Sequence, residues 1–315
     1  MISKRLKFPK NDSTKAFLNF FIAISVLQIF ILASCGTNHA IVPSSEYADR
    51  AENLYIPAEN ELSWQKIENC DFAEYFFYEN KSYPVRYHCV KIDLNKEVSI
   101  TTFPQSEKDF VHKNGKNLNY FTGLRAAKFS KKFKSKITIN AAPFGGKNGK
   151  WDSIAKITSP RRICGIHVVN KEELAPPIDR YSALCFSKDE NGWTAKIIKN
   201  QKDTDFTEFD FAFGGFFTIL SSDQKEEFSW KSNDSRTAAG ITSDGKTLFL
   251  LVVEGERWSK SHGLSYQECA DIMHALGAET AMQMDGGGSS SLFINQKNAL
   301  SYPALRKNAV FIGFY

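Results

Sequence analysis

The sequence predicts an α+β protein: mixed β-sheets with flanking helices, and one βαβ unit that carries the site. Three observations predict it. First, Thr237–Ile241 and Thr247–Val253 are apolar runs of strand length, joined by Ser243-Asp244-Gly245-Lys246, whose Asp-Gly pair signals a hairpin turn. Second, a helix with both ends marked follows. Ser265-Tyr266-Gln267-Glu268 fits a capping box, Cys269, Ile272, Met273 and Leu276 form one apolar stripe, and Gly277 is placed to end it. Third, Thr280–Met284 reads as a strand that runs into Asp285-Gly286-Gly287-Gly288-Ser289-Ser290-Ser291.

Strand, helix, strand in this order implies parallel strands and a right-handed crossover. Parallel strands end at one edge of a sheet, where α/β folds bind ligands. Glu254 and Asp285, each just past its strand, are therefore expected to share that edge. The hairpin centred on Asp244-Gly245 sets Arg236 opposite Val253 and so beside Glu254.

The start of the chain has a different character. Formal charge is +5 over 315 residues, and Lys4, Arg5, Lys7, Lys10 and Lys15 against Asp12 put +4 of it in residues 1–34. The rest is nearly neutral, which gives no support to a nucleic-acid partner. The basic start and the mostly apolar Phe17–Leu32 have the form of a secretory signal, too short and interrupted for a membrane span. Leu32-Ala33-Ser34-Cys35, followed by Gly36, resembles the lipobox of bacterial lipoproteins. That resemblance implies lipidation at Cys35, a membrane partner through the lipid anchor and a place in the bacterial cell envelope. The alternatives are an ordinary cleaved signal and an uncleaved anchor. Residues 36 to about 60 hold Pro, Ser, Asn and Glu with little apolar periodicity and read as a tether.

Export puts the remaining cysteines in an oxidising compartment. Cys70 and Cys89 lie symmetrically about a turn at Glu79–Ser82, and Cys164 and Cys185 about Glu173–Pro176. Two disulfides, Cys70–Cys89 and Cys164–Cys185, are the expectation, with buried free thiols as the alternative. Cys269 falls on the apolar helix stripe and is expected in the core. Leu118–Lys136 suits a helix with a basic outer side, Ile137–Asn140 a strand, and Asp210–Leu220 a core strand bulged at Gly214-Gly215. No Cys/His spacing of metal-ligand type is present, and no cofactor is expected.

Four blocks in order, Ser235-Arg236-Thr237-Ala238-Ala239-Gly240-Ile241, Leu251-Val252-Val253-Glu254-Gly255, Ser261-His262-Gly263-Leu264-Ser265 and Met284-Asp285-Gly286-Gly287-Gly288-Ser289-Ser290, resemble those of the phosphodiester glycosidase family. The likeness extends more faintly to Ile139-Asn140 and to Arg306. At Asn140 the family has a glycine-rich aromatic segment next, where this chain has Ala141-Ala142. Where Glu254 stands the family more often has Asp. The resemblance implies a domain over 61–315, behind the signal (1–34) and the lipidated cysteine with its tether (35–60). It implies Asp285 and Glu254 as catalytic carboxylates, and Arg236, Thr237, Asn140, Gly286, Gly287, Gly288, Ser289 and Arg306 around the substrate. At Asn140 a plain strand-end turn, and at Arg306 a surface arginine, are the alternatives.

The implied activity is hydrolysis of a sugar-1-phosphodiester or a related glycosidic bond in envelope or extracellular glycans. Its alternative is an envelope lipoprotein of the same fold that binds glycan without cleaving it. Glycosidases commonly flank the bond with two carboxylates, about 5–5.5 Å apart in retaining and about 6.5–9.5 Å apart in inverting enzymes. A sugar-1-phosphodiester leaves as a phosphate monoester, already a stable anion, so positive charge nearby matters more than a proton. Arg236 is the expected grip on that phosphate, with the N–H groups of the glycine loop as an anion nest. Asp285 is expected to stabilise or attack the anomeric carbon, with Glu254 as its acid/base partner.

Overall fold

The computed structural model describes residues 54–57, 62–117, 120–145, 160–202, 204–222, 224–225, 228, 232–257 and 259–315. All of them belong to the compact unit Ser45–Tyr315. The expected signal, the Cys35 lipidation site and most of the tether lie outside the described residues.

The principal elements, in chain order, are β1 (Gln65–Ile67), β2 (Cys70–Asn80), β3 (Val85–Asp93), β4 (Ile100–Phe103), α1 (Ala126–Phe133), β5 (Ile137–Asn140), β6 (His167–Val169), β7 (Glu172–Ala175), β8 (Ala183–Asp189), β9 (Gly192–Ile198), β10 (Phe211–Gly214), β11 (Phe217–Ser221), β12 (Arg236–Ile241), β13 (Thr247–Val253), α2 (Tyr266–Ala275), β14 (Thr280–Gln283), β15 (Leu292–Ile294) and β16 (Phe311–Phe314). The large sheet has the order β1-β2-β3-β13-β12-β14-β11, with Gln224–Lys225 at its edge. A second sheet runs Lys297–Asn298, β15, β5, β16, β4, and a third β7-β6-β10-β8-β9.

This is a mainly-β fold, and the α+β expectation is corrected. Among the described residues there are two α-helices, and the strand pairs of the three large sheets are antiparallel. The expected βαβ unit has its helix, but β14 does not lie beside β13. β12 sits between them and is antiparallel to both, pairing Arg236 with Val253 and Ala238 with Gln283. β13 and β14 therefore run in the same direction without touching. Sequence order fixed their direction; the hairpin claimed the neighbouring place first. The shared edge survives this correction.

The other departures have local causes. The long basic helix shortens to α1, because Leu124–Arg125 is extended and pairs with Lys307–Asn308. Asp210–Leu220 is not one bulged strand: β10 belongs to the third sheet and β11 to the large one, and the chain crosses between them at Gly215-Phe216. A Cβ on Gly215 would stand 2.7 Å from the backbone carbonyl oxygen of Gln283, so the crossing needs glycine.

The two expected disulfides are absent, and all five described cysteines are free thiols. In the first hairpin Asn80 pairs with Val85, so the turn lies later than Glu79–Ser82 and Cys89 faces Phe76. Cys70 and Cys89 also contribute to the cores on opposite faces of the sheet. In the third sheet, β6 turns directly into β7 at Asn170-Lys171, while Cys185 on β8 pairs with Ala212 of β10. β10 thus separates the strand after Cys164 from the strand of Cys185. Cys269 is fully buried on α2, as the apolar stripe predicts.

Side-chain alternation divides the large sheet's two faces. Ala239, Ile241, Leu250 and Val252 join the main core against the second and third sheets. Ala238, Leu251 and Val253 join the core under α2, with Ile272 and Met273 of the helix. α2 begins at a complete capping box, Ser265 Oγ accepting from the Glu268 N–H and the Glu268 carboxylate accepting from the Ser265 N–H. Its close seat on β12 requires Gly240, where a Cβ would come within 2.9 Å of both Ala278 Cβ and Met273 Sδ.

Candidate active site

The expected edge exists. β13 leads to Glu254, β14 leads to Asp285, and β12 between them begins at Arg236. With one strand between, the two carboxylate-bearing chains stand roughly 10 Å apart.

Asp285 is the residue around which the site closes. Its N–H donates to Ala141 O at 2.9 Å and its carbonyl accepts from Asn140 Nδ2 at 2.6 Å. Asn140 Oδ1 in turn accepts from Thr237 Oγ1 at 3.1 Å and Ser291 N at 2.9 Å. Thr237 Oγ1 also meets Ser290 Oγ at 3.1 Å. Asn140 and Thr237 are both buried. They tie the second sheet to the large one and fix the ends of the Asp285–Ser291 loop.

The loop is a short 3-10 turn over Gly287–Ser289. Gly287 N–H donates to Ser235 O at 2.8 Å, Ser289 N–H to Gly286 O at 3.1 Å, and the Gly286 N–H supports the Asp285 carboxylate. Most of the expected anion nest is therefore occupied internally. Gly287 adopts φ +56°, and the Asp234 carboxylate would lie 3.6 Å from a Cβ there. Gly288 leaves room for Arg306, whose guanidinium Nη2 would be 2.6 Å from a Cβ.

Burial pushes the Asp285 carboxyl from its ordinary 3.8 up to about 7, although Ser289, the Arg306 charge and the Gly286 N–H all act to lower it. Arg306 is exposed, donates from Nη1 to Ser289 Oγ at 3.2 Å, and is the cation that acts on Asp285. Cys164 and Tyr181, both half-buried, lie in the field of the same carboxylate. The Tyr181 ring packs edge-on to Phe216 at 5.8 Å, and Phe216 N–H bonds to Gln283 O at 2.8 Å.

Glu254 has the opposite surroundings. It is fully buried, and its carboxylate accepts from His88 Nε2 at 2.9 Å, from Ser301 N at 2.9 Å and from the Ser301 hydroxyl. Arg86 Nε stands 3.5 Å away. Burial alone would raise this carboxyl; the hydrogen bonds from His88 and Ser301 outweigh it and hold the group at about 2. Glu254 is held ionised, with both carboxylate oxygens engaged.

Arg236 is also buried, but on the α2 face, sharing the parity of Ala238. Its Nε donates to Leu264 O at 2.9 Å and its Nη2 to Ser232 O at 2.6 Å, and its guanidinium lies 4.0 Å from the centre of the Tyr266 ring. Those contacts lock strand, loop and helix together.

Of the residues the sequence singles out, the structure brings together Asp285, the glycine loop, Ser289, Asn140, Thr237 and Arg306, and holds Arg236 and Glu254 in separate buried networks. It did not single out His88, Arg86, Ser301, Asp234 or Tyr181. Arg86 and His88 stand two apart on a strand, the one pattern that puts both on Glu254's face. Among the described residues no group of His, Cys, Asp and Glu is arranged to hold a metal ion.

Known proteins share the family pattern and the fold. The family model described as phosphodiester glycosidase matches residues 133–315. The catalytic domain of zebrafish N-acetylglucosamine-1-phosphodiester alpha-N-acetylglucosaminidase, auto-inhibited by its pro-peptide, superposes with a TM-score of 0.56 at 15% identity, covering 80% of this chain and 86% of that one. A hypothetical protein from Synechocystis gives 0.56 at 13% identity, covering 80% of this chain and 63% of that one. A Burkholderia pseudomallei protein whose name marks it as exported gives 0.55 at 13%, covering 73% and 74%. At these identities the structural likeness speaks for the fold. No curated protein matches the sequence.

Proposed function

Because this chain belongs to the phosphodiester glycosidase family, we propose that it hydrolyses a sugar-1-phosphodiester, or a related glycosidic bond, in envelope or extracellular glycans. The observation that carries this reading is the Asp285 carboxyl. It is buried at a glycine loop, raised to about 7, and flanked by an exposed arginine that touches the same loop. A group tuned near neutrality changes protonation during turnover with little loss of driving force.

In the reaction we propose, ionised Asp285 faces the anomeric carbon and takes a proton from the attacking water. The new C–O bond forms at that carbon. The bond to the phosphate oxygen breaks, and its electron pair leaves with the phosphate monoester. Arg306 binds that phosphate, and no acid is needed for so stable a leaving anion. Two carboxyls pushed apart in pKa mark different roles. Glu254, held at about 2 with both oxygens engaged, is no proton carrier here.

The lipobox-like Leu32-Ala33-Ser34-Cys35 supports an exported lipoprotein at the envelope; the Burkholderia neighbour, whose name marks it as exported, supports export alone. No helix among the described residues is long and apolar enough to cross a membrane.

The test is incubation with sugar-1-phosphodiesters in oxygen-18 water, with products weighed by mass spectrometry. The label should enter the sugar. Label in the phosphate would mean P–O cleavage, and bound glycan without any product would favour the glycan-binding alternative.

A further inference from the structure

Glu254 ends up fully buried, ionised and satisfied, yet it lies at the edge that carries Asp285. A buried charge is costly unless it is paired and hydrogen-bonded, and this one is bonded at both oxygens. What it holds is Ser301. Both the N–H and the hydroxyl of Ser301 donate to the two oxygens of this one carboxylate.

Behind Glu254 the support continues. His88 Nε2 meets Glu254 Oε1 at 2.9 Å, and the Tyr75 hydroxyl meets His88 Nδ1 at 2.8 Å. His88 is fixed at both ring nitrogens, on β3 and next to β13 in the sheet. The Glu254 main chain is fixed too: its N–H donates to Arg86 O at 2.9 Å, and its carbonyl accepts from the Ser261 hydroxyl.

Ahead of Ser301 the chain leads to the site. Tyr302 is buried, its hydroxyl 3.4 Å from Ser235 Oγ, and Asn298 Nδ2 donates to its carbonyl at 2.6 Å. Ser235 is the residue whose carbonyl receives the Gly287 N–H. Beyond Tyr302, Pro303, Leu305 and Arg306 are exposed. The next fixed point is Lys307–Asn308, paired with Leu124–Arg125, where Asn308 Nδ2 donates to Ser289 O at 2.7 Å. Arg306 thus rides on a short exposed span pinned at both ends, upstream by the Glu254 carboxylate at Ser301 and by the buried, hydrogen-bonded Tyr302 beside it.

We infer that Glu254 is a positioning residue: with His88 and Tyr75 behind it, it anchors Ser301 so that the 303–306 span presents the Arg306 guanidinium over Gly288 to the substrate phosphate. The inference rests on the proposed phosphodiester reading for what Arg306 binds, and on the geometry alone for the anchor.

The test uses the whole protein with Ser301→Ala, Glu254→Gln, Arg306→Ala and the Ser301→Ala/Arg306→Ala double variant. Ser301→Ala removes one donor and keeps the fold, so it decides the matter even where Glu254→Gln does not fold. Hydrogen exchange of the peptide covering 299–306 should quicken in Ser301→Ala, with the β12–β13 hairpin unchanged. KM for a sugar-1-phosphodiester should rise about tenfold with kcat nearly constant, as for lost uniform binding. In the Arg306→Ala background the same substitution should leave KM where Arg306→Ala put it, because contacts in one network are not additive. Unchanged exchange over 299–306, or a Ser301→Ala effect that persists undiminished without Arg306, would overturn the anchor. A protein that turns over no phosphodiester still yields the exchange result, so the activity reading can fail while the anchor is judged separately.

Discussion

Asn140 Nδ2 donates to the backbone carbonyl of Asp285 at 2.6 Å, while Asn140 Oδ1 accepts from Ser291 N at 2.9 Å and Thr237 Oγ1 at 3.1 Å. One buried amide closes both ends of the glycine loop and joins two sheets. Asn140→Ala should leave the Ser291 N–H and the Asp285 carbonyl unpaired in a buried place, costing about 3 kcal/mol of stability. Thr237→Val removes a single hydroxyl and should cost about 1 kcal/mol. Denaturant unfolding of both variants checks the order; a larger loss in Thr237→Val would displace Asn140 as the hub.

Asp285 sets a conflict between stability and function. Its folded pKa is raised from 3.8 to about 7. Between those values the folded protein holds more protons than the unfolded one, so stability falls as pH rises through that window. The full difference corresponds to roughly 4 kcal/mol. Asp285→Asn carries no charge to desolvate. It should melt higher than the wild type at pH 8 and about equally at pH 4. A variant that melts lower at pH 8 would mean that the carboxylate is stabilised by its neighbours and not strained by burial.

Two arginines are separated by what they touch. Arg236 donates to two carbonyls and stacks on Tyr266; Arg306 is exposed over Gly288. Arg236→Lys loses the planar fork and should cost about 2 kcal/mol of stability, with KM for a phosphodiester unchanged in the folded protein. Arg306→Ala should leave melting nearly unchanged and raise KM. Melting curves and kinetics on the same preparations decide it. The reverse pattern would move the phosphate to the helix face of the sheet.

The free thiols predict a simple count. Alkylation of the unfolded chain without reductant should label Cys70, Cys89, Cys164, Cys185 and Cys269 alike. A mass that changes on prior reduction would reveal a bridge that the strand register does not allow.

How far the sequence could be read follows from which signals are local. The Asp244-Gly245 turn, the Ser265–Glu268 box and the Arg236–Val253 register are set by neighbours in the chain, and the structure has all three. Sheet order is not local. Nothing in Thr280–Met284 says that it pairs with β12 and not β13, and that one choice turned a parallel unit into an antiparallel sheet. The Cys70–Cys89 pair failed on a turn that lies later than expected, and such a slip changes which residues face each other; the Cys164–Cys185 pair failed because β6 turns back earlier, at Asn170-Lys171, and β10 comes between the two strands. Asp285, Asn140 and the glycine loop could be singled out because they stand where the chain resembles the family's blocks; by residue type alone they are ordinary strand-end turn residues. His88 and Ser301 could not be singled out, because they come to Glu254 from distant parts of the chain, and only the folded sheet brings them together.

The central claim is that ionised Asp285 carries out the hydrolysis. The most direct measurement is the pH profile of kcat/KM for a sugar-1-phosphodiester, taken on the wild type and on Asp285→Asn. The wild type should rise through a midpoint near pH 7, the value of the buried carboxyl. Asp285→Asn, still folded, should lose on the order of a thousandfold in rate and show no such midpoint. A folded Asp285→Asn protein with near-normal turnover and the same midpoint would contradict the account.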